Sequence, residues 1–399
     1  MREQLEQLFR EEPKMFKILN IFSCDRVDYR KATYYLRIIE KCIPKEKENV
    51  IFDLLNSMRL FDRKIVYECE EENYDASILE KKCDNCGKEI SCHEYNDMYK
   101  PNFLDKLSEY NKNKLQEYFD SDSKIVMEDL RSNINRVIPF IGSGVSKSVG
   151  LPLWLELFKK ARDKISDEYK PYFDLEYESK NIDRIIYMIK NVHPLIHDDK
   201  DLKKEIIAPE IKKQISNEVL LNSIIPDILK LDTEYIITTN YDDLLEKTNS
   251  LLGLGYEESR DISSFQGFES LDETQYIFHI HGTIKNYDSM VVTNEDYDSL
   301  YDSDEKKKIL SGLINKHSML FLGFSMDDTY FSDEFGKICE SNKGYCTNYY
   351  VMINGDRKKK DELLKTTNVR FINIKSAGFD IKDQYKFMID YILGNIYIE

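Results

Sequence analysis

Four separated segments of this 399-residue chain share one pattern that limits what it can fold into: Val137-Ile-Pro-Phe-Ile-Gly-Ser-Gly-Val-Ser146, Tyr235-Ile-Ile-Thr-Thr-Asn-Tyr-Asp242, Ile277-Phe-His-Ile-His-Gly-Thr283 and Met319-Leu-Phe-Leu-Gly-Phe-Ser-Met326. In each, a short apolar run with the character of a buried parallel strand ends in small, polar or imidazole residues. An open α/β sheet presents its ligand site at such strand ends. The pattern predicts a Rossmann-like parallel sheet with flanking helices and points to nucleotide handling. Tyr349–Ile353, Lys360–Leu364 and Val369–Ile374 read as a strand, a helix and a strand that complete the sheet.

The rest of the chain sets bounds. A hydrophobic content of 41% supports a proper core, and the length suits two domains. The formal net charge of −16, with both signs spread along the sequence, argues against non-specific nucleic-acid binding by the whole surface. No apolar stretch approaches the roughly 20 residues of a membrane helix, and Met1-Arg-Glu-Gln-Leu-Glu6 lacks a signal-peptide core. Eight unevenly spaced cysteines, two of them in a C-x-x-C, suit a reducing cytoplasm with a metal site better than a disulfide framework.

The chain divides near residue 120, giving a smaller, mainly helical domain over 1–120 and a catalytic domain over 125–399. Ser108–Lys124 is the expected linker. Residues 1–60 carry helical periodicity, and Lys64–Cys69 alternates like a strand. Helices followed by a strand suit a winged helix, which binds DNA or protein, and equally a short helical bundle. Within 83–93, Cys83-Asp-Asn-Cys86-Gly has the spacing of a zinc knuckle, whose tight turn brings two thiolates to one tetrahedral ion. Cys92 and His93 are the candidate third and fourth ligands, with Cys69 as the alternative. Because neighbours on an extended chain point to opposite faces, joint ligation by Cys92 and His93 needs a turn. The competing reading is a pair of free cysteines. Four protein ligands leave no open position, so the metal's role would be structural.

The strand ends carry the chemistry. Gly142 and Gly144 allow close backbone approach, and a helix expected near Ser146 would turn its amides toward a pyrophosphate; an ordinary strand-to-helix turn is the alternative. Asn240, at the end of Tyr235–Thr239, can both donate and accept, which suits a ribose hydroxyl or a water; otherwise it is a turn asparagine. Asp242 is expected to order the loop or the pocket. His279 and His281 lie on one strand face, and His281, next to Gly282, is the general-base candidate. His279 reads as a satisfied structural histidine, and metal binding by the His-x-His pair lacks a third ligand.

At these residues the chain resembles the sirtuin family, which uses a G-A-G-x-S loop, a T-Q-N-x-D segment, an H-G dipeptide and a G-T-S-L loop in that order. The matches are Gly142-Ser143-Gly144-Val145-Ser146, Thr238-Thr239-Asn240-Tyr241-Asp242, His281-Gly282 and Gly323-Phe324-Ser325-Met326. Gly150-Leu-Pro-Leu-Trp154 and Thr239–Leu245 look like the divergent bacterial branch that hydrolyses NAD in antiviral defence. The resemblance implies an NAD glycohydrolase in which Asn240 and His281 are catalytic. It places Gly142, Ser143, Gly144, Ser146, Pro152, Trp154, Thr239, Asp242, Gly323 and Ser325 around NAD. Trp154 and Leu155 replace the Phe-Arg pair of the deacylases. Thr283–Met319 lacks the cysteines of their zinc module, which puts deacylation in doubt. The alternatives are a non-catalytic NAD or ADP-ribose sensor and a residual NAD-dependent deacylase. The resemblance further implies a silent resting state, a homo-oligomer larger than a dimer, and activation by a partner such as a HerA-type ATPase or another phage sensor.

Overall fold

A computed structural model describes residues 2–24, 28–257, 260–261, 275–301, 303–324, 347–355, 369–376 and 378–399. Ser325, Asp327, Asp328, Cys339, Cys346 and the helix expected at Lys360–Leu364 lie outside the described residues. The chain forms two compact units, one of residues 1–117 with 393–399 and the other of 118–392.

In the first unit, helices α1 (Arg2–Glu11), α2 (Lys14–Cys24), α3 (Ala32–Glu40) and α4 (Glu48–Ser57) bury Leu5, Ile18, Leu19, Tyr35, Ile39 and Leu55 in one cluster. Each such fully buried side chain contributes roughly 1.5–3 kcal/mol. Strand β1 (Arg30–Lys31) falls between α2 and α3, and β2 (Phe61–Cys69), β3 (Glu72–Ser77) and β4 (Tyr95–Pro101) come after α4. The antiparallel order is β1-β4-β2-β3. The helices read from periodicity are thus joined by a four-stranded sheet, which rules out an all-helical bundle.

The expected linker is helical instead. Helix α5 (Leu104–Tyr118) and helix α6 (Ser121–Asn133) cover almost all of Ser108–Lys124. Asp120 caps α6 by accepting from the Ser123 amide at 2.8 Å. Polar residues there serve as exposed helix faces, while Leu107 and Leu115 stay buried at the apolar spacing. The chain's end joins the first unit: Asn20 Oδ1 accepts from Tyr397 N at 2.9 Å, and Asn111 Nδ2 donates to Tyr397 O at 2.8 Å.

Among the described residues, the second unit is built on seven parallel strands: β5 (Val137–Ile141), β6 (Tyr235–Thr238), β7 (Arg260–Asp261), β8 (Tyr276–His279), β9 (Ser318–Leu322), β10 (Asn348–Ile353) and β11 (Val369–Ile374). Their order is β11-β10-β9-β5-β6-β8-β7. Taken from β5, the six main strands run 3-2-1-4-5-6, the Rossmann order, and the chain reverses direction between β5 and β9. Strands β5, β6 and β8 are buried at every position, which is why their runs are apolar without alternation. Register brings the strand ends level, since Ile141 pairs with both Leu322 and Thr238, and Thr238 pairs with His279. The residues just beyond each strand are therefore delivered to one edge. Between β5 and β6 the chain inserts a series of helices with its own apolar cluster, including Phe158, Phe173, Ile185, Ile189 and Ile207. No helix among the described residues is long and apolar enough to cross a membrane.

Candidate active site and a cysteine-histidine cluster

The level strand ends open into a cleft of about 1080 Å³. Ser143, Gly144, Ser146, Pro152, Trp154, Thr239, Asn240, Asp242, His281 and Gly323 all line it. Gly142 is not among the lining residues. A Cβ on Gly142 would sit 2.8 Å from Gly323 O, and one on Gly144 2.7 Å from the same oxygen. Gly323 itself adopts φ +75°, and a Cβ on it would lie 2.5 Å from Val145 N. The two loops interlock, because Gly142 N donates to Leu322 O and Gly144 N to Gly323 O, both at 2.8 Å.

This alters the expected phosphate cradle. The helix opens at Ser143, with Gly142 as its cap, rather than near Ser146. The amides of Gly142, Gly144 and Val145 are already spent on Leu322, Gly323 and Gly142 oxygens. The glycines serve loop-to-loop contact, and Ser143 is the loop's polar side chain in the cleft that makes no part of the network below.

Behind the loop runs a buried polar network. Asn240 Nδ2 donates to Ser146 Oγ at 2.9 Å and to Gly142 O at 3.2 Å, and Ser146 Oγ donates to Asp242 Oδ2 at 2.8 Å. Burial pushes the Asp242 carboxyl upward, against the Ser146 hydroxyl and Leu244 amide that favour its charge. Asp242 thereby joins Ser146 to the start of the helix that follows it. Ser146, expected to meet the ligand directly, is also the hinge between Asn240 and Asp242.

His281 comes just after β8 and is 8% exposed. Its ring stands edge-on to Tyr297 with centroids 5.4 Å apart, and its carbonyl accepts from Val291 N at 2.9 Å. Burial lowers its pKa to about 3, so the imidazole is neutral around pH 7. Gly282 makes this turn possible at φ +78°, where a Cβ would lie 2.1 Å from Ser289 O. His279 is also buried and hydrogen-bonds Asn240 O and Glu246 Oε1. Trp154 packs against Phe158 and Tyr241 with centroids 5.4 and 5.9 Å apart, so its apolar role and its place in the cleft wall coexist.

Sequence reasoning missed the far rim. Asn354, Asp380, Lys382 and Tyr385 line the same cleft, beyond β10 and at the start of the helix Ile381–Ile392. Asn354 comes directly after the apolar run Tyr349–Ile353, the same signal that marked the other strand ends.

In the first unit, Cys69, Cys83, Cys86 and His93 place one ligand atom each within 4.8 Å of one another. Cys92 is exposed and lies outside this group, so the alternative ligand Cys69 takes its place. The reason is a short helical turn, Ile90–Cys92, which rotates Cys92 outward and leaves extended His93 facing Cys86 at 3.2 Å. His93 Nδ1 contacts Glu89 O at 3.1 Å, which orients the ring. Burial raises the Cys83 thiol, but the Cys86 and Asn85 amides and the Tyr67 hydroxyl outweigh it and bring the pKa down to about 6. Three sulfurs and an imidazole form a donor set that fits zinc.

A Rossmann-ordered sheet brings its glycine loops, an asparagine and a histidine to one cleft, where an open α/β domain presents its ligand site. Residues 234–372 match the SIR2-like domain. It is 24% identical over 293 residues to an NAD(+) hydrolase ThsA of Bacillus cereus (strain MSX-D12), covering 72% of this chain and 56% of that one. It is 25% identical over 214 residues to an NAD(+) hydrolase ThsA of Enterococcus faecium, covering 52% and 41%. Defense-associated sirtuin 2 of Bacillus subtilis is 24% identical over 205 residues, 49% of this chain and 18% of that protein. The match spans about half the length of the two hydrolases.

Proposed function

We propose that this chain is an NAD glycohydrolase that releases nicotinamide and ADP-ribose and serves bacterial anti-phage defence by NAD depletion. The observation that carries the reading is the convergence of Asn240 and a neutral, buried His281 on one cleft beside the interlocked glycine loops. The names of the similar hydrolases and of the defence-associated sirtuin support it.

The chemistry asks little of an acid. The nicotinamide ring nitrogen is cationic in NAD, so it leaves with the bond's electron pair as a neutral molecule. Oxocarbenium character then develops at the ribose carbon, and water adds there and loses a proton. Asn240 positions the ribose or the water, and His281 takes the proton. The negative diphosphate, once bound, raises the basicity of His281 from its low resting value. Gly142–Ser146 and Gly323 form the floor under the diphosphate, and Ser325 belongs with the adenosine half. Attack by an atom of NAD itself in place of water would give a cyclic ADP-ribose.

Zinc held by Cys69, Cys83, Cys86 and His93 would serve as a structural staple of the first unit. The run α2, β1, α3, α4, β2 and β4, with β3 and the cluster's Cys83–His93 turn between the last two strands, supports a winged-helix reading of that unit. Since free NAD cleavage would harm its own cell, the resting protein is silent and works as an oligomer larger than a dimer or with a partner such as a HerA-type ATPase. Incubating the full chain with NAD, alone and with its genomic neighbour, tests the reading. Nicotinamide with ADP-ribose is the expected outcome, and absence of nicotinamide under both conditions overturns it.

A further inference from the structure

His279, the last residue of β8, is 1% exposed, and both of its ring nitrogens meet oxygens. Nδ1 lies 2.7 Å from the backbone oxygen of Asn240, and Nε2 lies 2.7 Å from Glu246 Oε1. A carbonyl oxygen only accepts, so Nδ1 carries a hydrogen. The contact of Nε2 with a carboxylate needs a proton as well, since a ring lone pair facing an anionic oxygen at this distance is repulsive. The two side chains together are then neutral, which a buried site tolerates. We propose that His279 and Glu246 form an imidazolium–carboxylate pair whose task is to position Asn240.

The inference rests on the reading of Asn240 as the residue that holds the ribose or the water. Asn240 is fastened at four bonds: its amide N to Thr238 Oγ1 at 3.0 Å, its Nδ2 to Gly142 O and Ser146 Oγ, and its carbonyl to His279. The last of these is the one that comes from β8, the strand that leads into His281. The pair thereby ties together the two strands that deliver the proposed catalytic side chains.

Two acids face the imidazole: Glu246 from the helix Leu244–Leu252, and Asp242 from the loop after β6. Burial opposes the charge on His279, but the Glu246 contact, the Asn240 carbonyl and Asp242 outweigh it, and its pKa is raised. His281, two residues on, is lowered by burial. Neighbouring histidines on one strand end are thus set to opposite proton states, one to hold and one to react.

Proton state and position are read directly from the full-length chain with its six histidines and its asparagine amides isotope-labelled for NMR. Loss of a signal in His279→Asn assigns it. The expected spectrum at pH 8 shows the His279 ring protonated at both nitrogens, and Glu246→Gln, which keeps the shape, returns it to neutral. As pH rises further, the Asn240 side-chain amide should shift with the same midpoint as His279. This wild-type titration stands even where a variant does not fold. A His279 that is neutral at pH 8, or an Asn240 amide indifferent to its titration, overturns the proposal. In NAD cleavage, Glu246→Gln should lower kcat about tenfold or more while KM stays within about threefold. An unchanged kcat in a variant whose His279 has become neutral also overturns it. A wild-type chain that cleaves no NAD while the two titrations coincide refutes the glycohydrolase reading and leaves the pair standing.

Discussion

Asn240 and Ser146, 94 positions apart in sequence, are joined by a 2.9 Å hydrogen bond, and the same hydroxyl donates on to Asp242 at 2.8 Å. One small side chain therefore connects the first glycine loop to the loop after β6. A hydroxyl does this because it accepts and donates at once, whereas Asn240 Nδ2 can only donate and an ionised Asp242 can only accept.

Ser146→Ala should leave Asn240 Nδ2 with only Gly142 O and strip Asp242 of its side-chain donor. An orphaned buried polar group costs about 1–3 kcal/mol. Thermal unfolding should fall by several degrees, and NAD cleavage by about tenfold or more. A variant with wild-type midpoint and turnover would show the bridge to be incidental.

His281→Ala and Asn240→Ala should each remove nicotinamide release while leaving the circular-dichroism spectrum intact. Because both act on one ribose, the double variant should be scarcely worse than either single one. Near-full cleavage by either single variant would end the assignment.

The two buried histidines make opposite contributions to acid and base stability. His281 has a folded pKa of about 3, below its unfolded value of about 6.5. The unfolded chain then binds the extra proton first, so this contribution is complete above pH 6.5 and is lost as pH falls toward 3. His279 is raised, so its contribution is complete below pH 6.5 and is lost as pH rises through the folded value. His281→Gln should flatten the acid limb of urea-unfolding midpoints, and His279→Gln the basic limb. An unaltered acid limb in His281→Gln would show that the imidazole is not held neutral.

The strand ends were legible because a parallel strand buried on both faces must be apolar throughout, so Val137–Ile141 and Tyr235–Thr238 announce themselves. The relation of His279 to Glu246 was not, since nothing in the sequence fixes how the helix after Asp243 turns against β8. Cys92 looked as good a ligand as Cys69 because spacing along the chain carries no record of which β2 residue lies across the turn. Ser108–Lys124 resembled a linker because helices on a surface spend polar residues on solvent, and their few buried apolar positions are easily overlooked.

Gly144→Ala tests the interlocked loops. Its Cβ would stand 2.7 Å from Gly323 O, a backbone atom that moves only if β9's end moves. Overpacking of this kind costs about 1–3 kcal/mol. NAD affinity by calorimetry should drop more than stability does, because the displaced loops form the cleft floor. Unchanged affinity would mean the loops do not shape the ligand site.

The last prediction separates the two candidate ligand sets in the first unit. Cys69 ends β2, Cys83 and Cys86 sit in the turn closed by the Cys83 N to Lys88 O bond at 2.7 Å, and His93 meets Cys86 at 3.2 Å. Cys92 points away and is exposed. Elemental analysis of the purified full chain should find about one zinc per chain, retained in Cys92→Ser and lost in Cys69→Ser. Since metal binding is coupled to folding, Cys69→Ser should also lower the unfolding temperature and remove its sensitivity to chelator, while Cys92→Ser should behave as wild type. Loss of zinc in Cys92→Ser with retention in Cys69→Ser would return the site to the contiguous knuckle at 83–93. A fully folded, metal-free wild-type chain would dispense with zinc altogether.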